Sequence, residues 1–169
     1  MLYIFGGLPG TGKSELAKYL SESISAVYLR IDTIEQALRN HGLSHIYDEG
    51  YQVAFSLASD NLKLGQLVVA DSTNPVNESR ESWRYAATIA SAQFIEIEVI
   101  CSDQHEHKQR IETRVADISE LQLPTWDNVA EREYHQWVTE RIVIDTAGRT
   151  LEQSKRDLMD ALGLSLSKA

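Results

Sequence analysis

Cysteine is almost missing from this chain of 169 residues. Cys101 stands alone, which excludes an intramolecular disulfide and any zinc site built on paired cysteines, and leaves the thiol to behave as a small buried hydrophobe. Proline is scarce, with three in the whole chain, and no proline-rich linker divides it. No run of about 18 apolar residues occurs, so no membrane span is expected, and the first strand begins without a basic leader. Positive charge is in deficit as well. Sixteen Lys and Arg against 25 Asp and Glu give a formal net charge of −9, the reverse of the balance needed to neutralise nucleic-acid phosphates. Between Arg30 and Asp60 only Arg30 and Arg39 face Asp32, Glu35, Asp48, Glu49 and Asp60. A long polyanionic partner is disfavoured there. The expectation is a soluble, cytoplasmic protein with one domain over residues 1–169.

What is present centres on Gly7-Leu8-Pro9-Gly10-Thr11-Gly12-Lys13-Ser14, a match to G-x-x-x-x-G-K-[ST]. Its context fits: Leu2 to Phe5 reads as a buried strand before it, and Ser14 to Ser23 as a helix after it. Gly7, Gly10 and Gly12, with Thr11 between them, let the backbone turn its N–H groups toward a polyphosphate at a helix N-terminus. Lys13 is placed to bridge the β- and γ-phosphates, and Ser14 to hold Mg²⁺. A glycine-rich turn that binds nothing would not require a lysine and a hydroxyl at these two positions. A nucleoside triphosphate with Mg²⁺ is the expected ligand of this loop.

Short apolar runs alternate with longer helical segments, the pattern of an α/β protein with a parallel sheet between helices. Ala26 to Ile31 reads as the second strand, with Asp32 at its end and a helix from Thr33 to Asn40. A helix from about Tyr51 to Leu64, with Val53, Leu57 and Leu64 among its buried positions, ends at Gly65. Gln66 to Ala70 is the third strand and delivers Asp71-Ser72-Thr73-Asn74-Pro75 to the edge that carries the glycine loop. Glu78 to Ser91 reads as a helix, and Phe94 to Ile100 as a strand whose acids, Glu96 and Glu98, face water or a covering helix. Asp103 caps a helix running to about Asp117, with Arg110 and Arg114 on one face. Trp126 to Trp137 reads as a helix and Arg141 to Asp145 as the fifth strand, followed by Thr146 to Arg149 and an amphipathic helix. The last few residues read as disordered. His105 and His107, two apart on a helix, point to different sides and read as surface residues and not as a metal pair. Trp126, Tyr134 and Trp137 read as core.

Each candidate residue has two readings. Asp32, a carboxylate at the carboxyl end of a strand, is placed to orient and deprotonate an acceptor hydroxyl, or it serves as the N-cap of the helix at Thr33. Asp71 is placed to contact the acceptor, or is a turn residue before Pro75. Arg110 and Arg114 neutralise charge on a transferred phosphoryl group, or belong to a surface ion-pair ladder in which Glu106 pairs with Arg110.

The glycine loop, Asp32 after the second strand, the Val68 to Asn74 segment with its D-x-T-N pattern, and Arg110 with Arg114 together resemble the small P-loop kinases. That AAA-ATPase-like group includes polynucleotide kinase, gluconate kinase, adenylylsulfate kinase, chloramphenicol phosphotransferase and the zeta toxins. The resemblance spans nearly the whole chain. It implies a three-layer α/β/α fold with a five-stranded parallel sheet in the order 2-3-1-4-5 and a helical lid over about residues 105–135. It also implies Mg²⁺ near Asp71 through water and the nucleotide base near Gly148 and Arg149. Polynucleotide-kinase-like members often carry an arginine three residues after the strand-two aspartate, where this chain has Glu35. The reading that results is a kinase transferring the γ-phosphoryl group of Mg-ATP to a hydroxyl of a small molecule, with a polynucleotide 5′-kinase or a non-catalytic nucleotide-binding regulator as alternatives. A GTPase is disfavoured because Cys101-Ser102-Asp103-Gln104 stands where N-K-x-D belongs, and a AAA-type motor because 169 residues leave no room for an added helical domain.

Overall fold

The computed structural model describes residues 1–164; the disorder expected of the last few residues falls on 165–169, outside them. In chain order the elements are β1 (Leu2–Gly6), α1 (Lys13–Ser23), β2 (Val27–Arg30), α2 (Ile31–Asn40), α3 (Glu49–Lys63), β3 (Val68–Asp71), α4 (Asn77–Ile89), β4 (Phe94–Ile100), α5 (Gln104–Thr113), α6 (Trp126–Ala130), β5 (Ile142–Asp145) and α7 (Leu151–Ala161). The five strands form one parallel sheet in the order β2-β3-β1-β4-β5.

Central strands read as continuous apolar runs because both faces of the sheet are covered. In β1, Leu2 and Ile4 point into a core shared with Ala54, Ala58 and Leu62 of α3 and Trp83 and Ala87 of α4. Tyr3 and Phe5 point the other way, into Leu16 and Leu20 of α1, Ile97 and Val99 of β4, and Leu158 and Met159 of α7. This two-sided burial holds the carboxyl ends of β1, β2 and β3 together at one edge. Among the described residues no helix is long and apolar enough to cross a membrane.

Several expectations about the helices are corrected by the packing. In α3 the buried stripe is Gly50, Ala54, Ala58 and Leu62, spaced four apart; Val53, Leu57 and Leu64 are exposed. Small side chains let α3 approach the sheet and α4 closely, so the buried face follows the alanines and not the largest apolar residues. Gly65, in the left-handed region at φ 81°, does end this helix. Helix α5 stops at Thr113, and Arg114 follows in extended conformation at φ −64°, ψ 137°. Arg110 and Arg114 therefore do not share a helix face. The expected helix from Trp126 to Trp137 is five residues long, ending at Ala130. Beyond it the backbone bonds elsewhere: the His135 amide donates to the Pro75 carbonyl at 2.7 Å, and the His135 carbonyl accepts from Arg80 at 2.8 Å. These tertiary bonds replace the i to i−4 ladder. Within the stretch expected to form a helical lid, about residues 105–135, only α5, to Thr113, and α6, Trp126–Ala130, are helical.

The acids of β4 meet cations on the chain that covers them. Glu96 accepts from Arg84 and Thr139, both at 2.6 Å, and Glu98 from Arg141 and from Tyr134 at 3.3 Å. Arg80 is buried without an acidic partner among the described residues. It donates to the carbonyls of Asn74, Pro75 and His135, and its guanidinium lies 4.1 Å from the Trp137 ring centroid. Trp137 in turn rests against Gly6, where a Cβ would stand only 2.5 Å from the ring.

Candidate active site

The loop between β1 and α1 is shaped by its glycines and by what crowds it. Gly7, at φ 144°, sits against the carbonyl oxygen of Val99 so closely that a Cβ has no room. Gly10 and Gly12 also hold positive φ, and Gly12 is the N-cap of α1 with no side-chain cap. The first amides of α1 are therefore donors at the positive end of its dipole. Thr11 braces the loop, its hydroxyl donating to the Leu8 carbonyl at 2.9 Å while its own carbonyl accepts from Thr146 Oγ1 at 2.9 Å.

Beneath the loop lies a buried charge cluster. Lys13 Nζ donates to Asp71 Oδ1 at 2.6 Å, and the Tyr28 hydroxyl donates to Asp71 Oδ2 at 2.6 Å. Arg30 Nε stands 3.7 Å from the same oxygen. Parallel pairing explains the meeting, since Arg30 and Asp71 are register partners at the ends of β2 and β3. Burial by itself would raise the Asp71 carboxyl, but the Lys13 charge and the bonds from Lys13, Tyr28 and Ser14 outweigh it and hold the group below its ordinary value. The Tyr28 phenol is pushed up, by burial first and by Asp71 second. Asp71 is a charged strut in the core and not a turn residue.

A cavity of about 1050 Å³ opens above this cluster, lined by Pro9, Gly10, Lys13, Ser14 and Arg30, and by Asp32, Arg110 and Arg114. Asp32 is half-buried, with Arg30 Nη2 3.9 Å from its carboxylate. The alternative reading of Asp32 as an N-cap does not hold: α2 starts at Ile31 directly from the end of β2, Arg30 is at the N-cap position, and Asp32 lies in the first turn. Such a position favours a negative charge without using the carboxylate as a cap. Tyr51 borders the same cavity. Its hydroxyl accepts from the Asn74 amide at 3.3 Å, and burial pushes the phenol up to about 12.

The two arginines expected to act together differ. Arg110 donates to Thr146 Oγ1 at 2.7 Å, to the Thr146 carbonyl at 2.8 Å and to Glu106 at 2.6 Å. The ion pair foreseen with Glu106 is present, and the same guanidinium ties α5 to Thr146, which itself holds Thr11. Arg114 lines the cavity and makes no hydrogen bond or ion pair among the described residues. Arg149 is exposed, outside the cavity lining, and pairs with Asp157 at 3.1 Å. His107 is buried and not on the surface: its Nε2 stands 2.7 Å from the Pro9 carbonyl and its ring meets Trp126 edge-on. His105 is exposed and Cys101 buried, as expected.

Tyr28, Arg30, Tyr51 and Asp117 were missed. Tyr28 and Arg30 had a readable signal, because residues two apart at the end of a strand share a face with each other. Tyr51 and Asp117 had none, since tertiary contacts alone bring them to the cavity. For a metal, no cluster of three or more His, Cys, Asp or Glu side chains occurs among the described residues. Ser14 and Asp71 offer neighbouring oxygen donors, a set that fits Mg²⁺, an ion that takes oxygen ligands and keeps several waters.

A parallel sheet in this order with a glycine loop at its carboxyl edge is a P-loop kinase-like fold. Residues 2–134 match the family model AAA_33, described as an AAA domain, and the chain belongs to that family. No curated protein matches the sequence. Solved structures do. A gluconokinase from Sinorhizobium meliloti 1021 is 14% identical with a TM-score of 0.66, over 95% of this chain and 90% of that one. The Mycobacterium tuberculosis APS kinase CysC, in complex with AMPPNP and APS, is 22% identical with a TM-score of 0.67, over 96% of each chain. Chaetomium thermophilum Kti12, in complex with ADP-AlF3, is 18% identical with a TM-score of 0.66, over 99% of this chain and 100% of that one. At these identities the likeness is one of fold.

Proposed function

We propose that this protein is a kinase that binds Mg-ATP at the loop from Gly7 to Ser14 and transfers the γ-phosphoryl group to a hydroxyl of a small molecule. The observation that carries the reading is that Lys13, Ser14 and Asp32 face one cavity of about 1050 Å³, a size that takes a nucleotide and a small acceptor side by side. Phosphoryl transfer asks the protein for positioning and charge neutralisation more than for covalent chemistry. The loop amides and Lys13 cradle the phosphates. Ser14 and Asp71 are the residues that would hold Mg²⁺, which when bound neutralises charge on the phosphate oxygens. Asp32 orients the acceptor hydroxyl and accepts its proton. Arg114, with no competing partner among the described residues, is the better placed of the two arginines to meet the transferred group, while Arg110 holds the loop after β5 against the glycine loop. Arg149, paired with Asp157 outside the cavity, is not needed by this reading.

Support for ATP comes from two of the matched folds, whose structures carry AMPPNP and ADP-AlF3. A polynucleotide acceptor is disfavoured by the net charge of −9. The test is ADP formation from ATP across sugars, nucleosides, antibiotics and oligonucleotides. Release that depends on a small acceptor supports the proposal, and release that depends on oligonucleotides alone replaces it with the polynucleotide kinase. Tight Mg-ATP binding with no acceptor-dependent release identifies a regulator.

A further inference from the structure

Arg30 is held in a way that the phosphate chemistry does not require. Its guanidinium is largely buried, with a side chain 10% exposed, and it borders the cavity. Both terminal nitrogens are spent on one carboxylate: Nη1 donates to Asp117 Oδ2 at 2.5 Å and Nη2 to Asp117 Oδ1 at 3.0 Å. Nε is buried and has no hydrogen-bond partner. Asp71, 3.7 Å away, accepts from Lys13 and Tyr28 and makes no hydrogen bond to this nitrogen.

The carboxylate that fills this fork is the one least committed to its place. Asp117 sits on the irregular stretch between α5 and α6, and its side chain is 57% exposed. Arg30 is its one ion-pair partner among the described residues. A planar guanidinium fork binds any carboxylate or phosphate of suitable geometry, so what Asp117 does, another oxyanion can do. The fork is also well placed for a substrate: Nη2 is 3.9 Å from Asp32. An anion seated on Arg30 therefore brings the rest of its molecule to the residue that handles the acceptor hydroxyl.

We infer that Arg30 is the seat for an anionic group on the acceptor, and that Asp117 holds this seat until the acceptor's carboxylate or phosphate takes it over. The inference rests on the kinase reading for the word acceptor and deepens it to a hydroxylated anion. Exchange is the physically sensible route, because a buried guanidinium left without any partner is costly whereas trading one oxyanion for another is not. Entry of the acceptor thereby frees the 114–125 stretch from the end of β2, coupling occupancy to the position of Arg114.

The test uses the full chain with saturating Mg-AMPPNP, so that the glycine loop is filled, and three probes: glycerol, D-glycerate and glycerol 3-phosphate. Calorimetry gives the affinity of each for wild type, Asp117→Asn and Arg30→Gln. The expectation is that at least one anion binds wild type more tightly than glycerol, with the glycerate and glycerol-phosphate arms telling carboxylate from phosphate. Asp117→Asn should tighten that anion on the order of tenfold, the scale of one charge-assisted hydrogen bond, and leave glycerol unchanged. Arg30→Gln should erase the preference. Anions that bind no better than glycerol, or an Asp117→Asn variant that binds them no more tightly than wild type, overturn the proposal. Asp117 lies on an exposed stretch, so its variant decides the matter even where Arg30→Gln fails to fold. Acceptor-dependent ADP formation is measured beside these titrations. Stimulation by neutral polyols alone overturns the anion seat and keeps the kinase; an anion seat without acceptor-dependent ADP formation does the reverse.

Discussion

Two parts of the cavity wall are built by different means. Gly7 to Ser14 bridges a buried strand and a buried helix, and its lysine is locked to Asp71 from the neighbouring strand. Residues 114–125 form no helix or strand, and among the described residues Arg30 is the one ion-pair partner of Asp117. Rigid elements on both sides fix the first part, while the second is irregular chain tied to Arg30 by a side chain. Under the kinase reading proposed above, the phosphate cradle belongs to the rigid part and the acceptor is met by the loosely held chain.

The largest break in that contrast comes at the cradle. Lys13→Ala should abolish turnover and weaken ATP binding, since it removes the phosphate contact and leaves Asp71 buried beside Tyr28 and Arg30 alone. Acceptor-dependent ADP formation and calorimetry with ATP measure both, and unchanged values would remove the nucleotide site from the loop. A step down, Asp32→Asn keeps the shape of the side chain and should lower kcat on the order of 10²- to 10⁴-fold with ATP affinity nearly intact. Because Asp32 lies in the first turn of α2 and makes no capping bond, the same variant should unfold at nearly the wild-type denaturant concentration. A wild-type kcat would take the acceptor role from Asp32.

At the covering end the effects turn structural. Arg80→Ala should cost roughly 2–4 kcal/mol of stability by leaving buried carbonyls without a donor. Denaturant unfolding monitored by tryptophan fluorescence measures this directly, since Trp137 lies on the guanidinium. A loss within experimental error would show that the 131–141 stretch is held by its own packing.

Acid sharpens the comparison further. The folded Asp71 carboxyl lies below its ordinary value of 3.8, so its pairing stabilises the fold above that pH, and the contribution fades as pH falls below it through the lower folded value. Asp71→Asn should therefore show a shallower loss of stability below about pH 4 than wild type, read by circular dichroism against pH. Smallest of all, Arg149→Ala breaks an exposed pair with Asp157 and should cost less than about 1 kcal/mol. A change in ATP affinity in that variant would bring Arg149 into the nucleotide site.

Local sequence was enough for whatever depends on local geometry. The glycine loop, the alternating strands and helices, and the arrival of Asp71 beside the loop follow from spacing, because backbone conformation and periodic burial are written in neighbouring residues. Tertiary structure decided the rest. Helix α3 buries alanines and not Val53, Leu57 and Leu64 because close packing selects for size as well as polarity. The chain after Ala130 leaves its helix because Pro75 and Arg80 offer His135 better partners than the next turn would. Arg110 turns to Thr146, and Asp117 crosses 87 positions of sequence to meet Arg30. Contacts between residues so far apart depend on where the sheet and its helices place them, and no spacing rule along the chain encodes that.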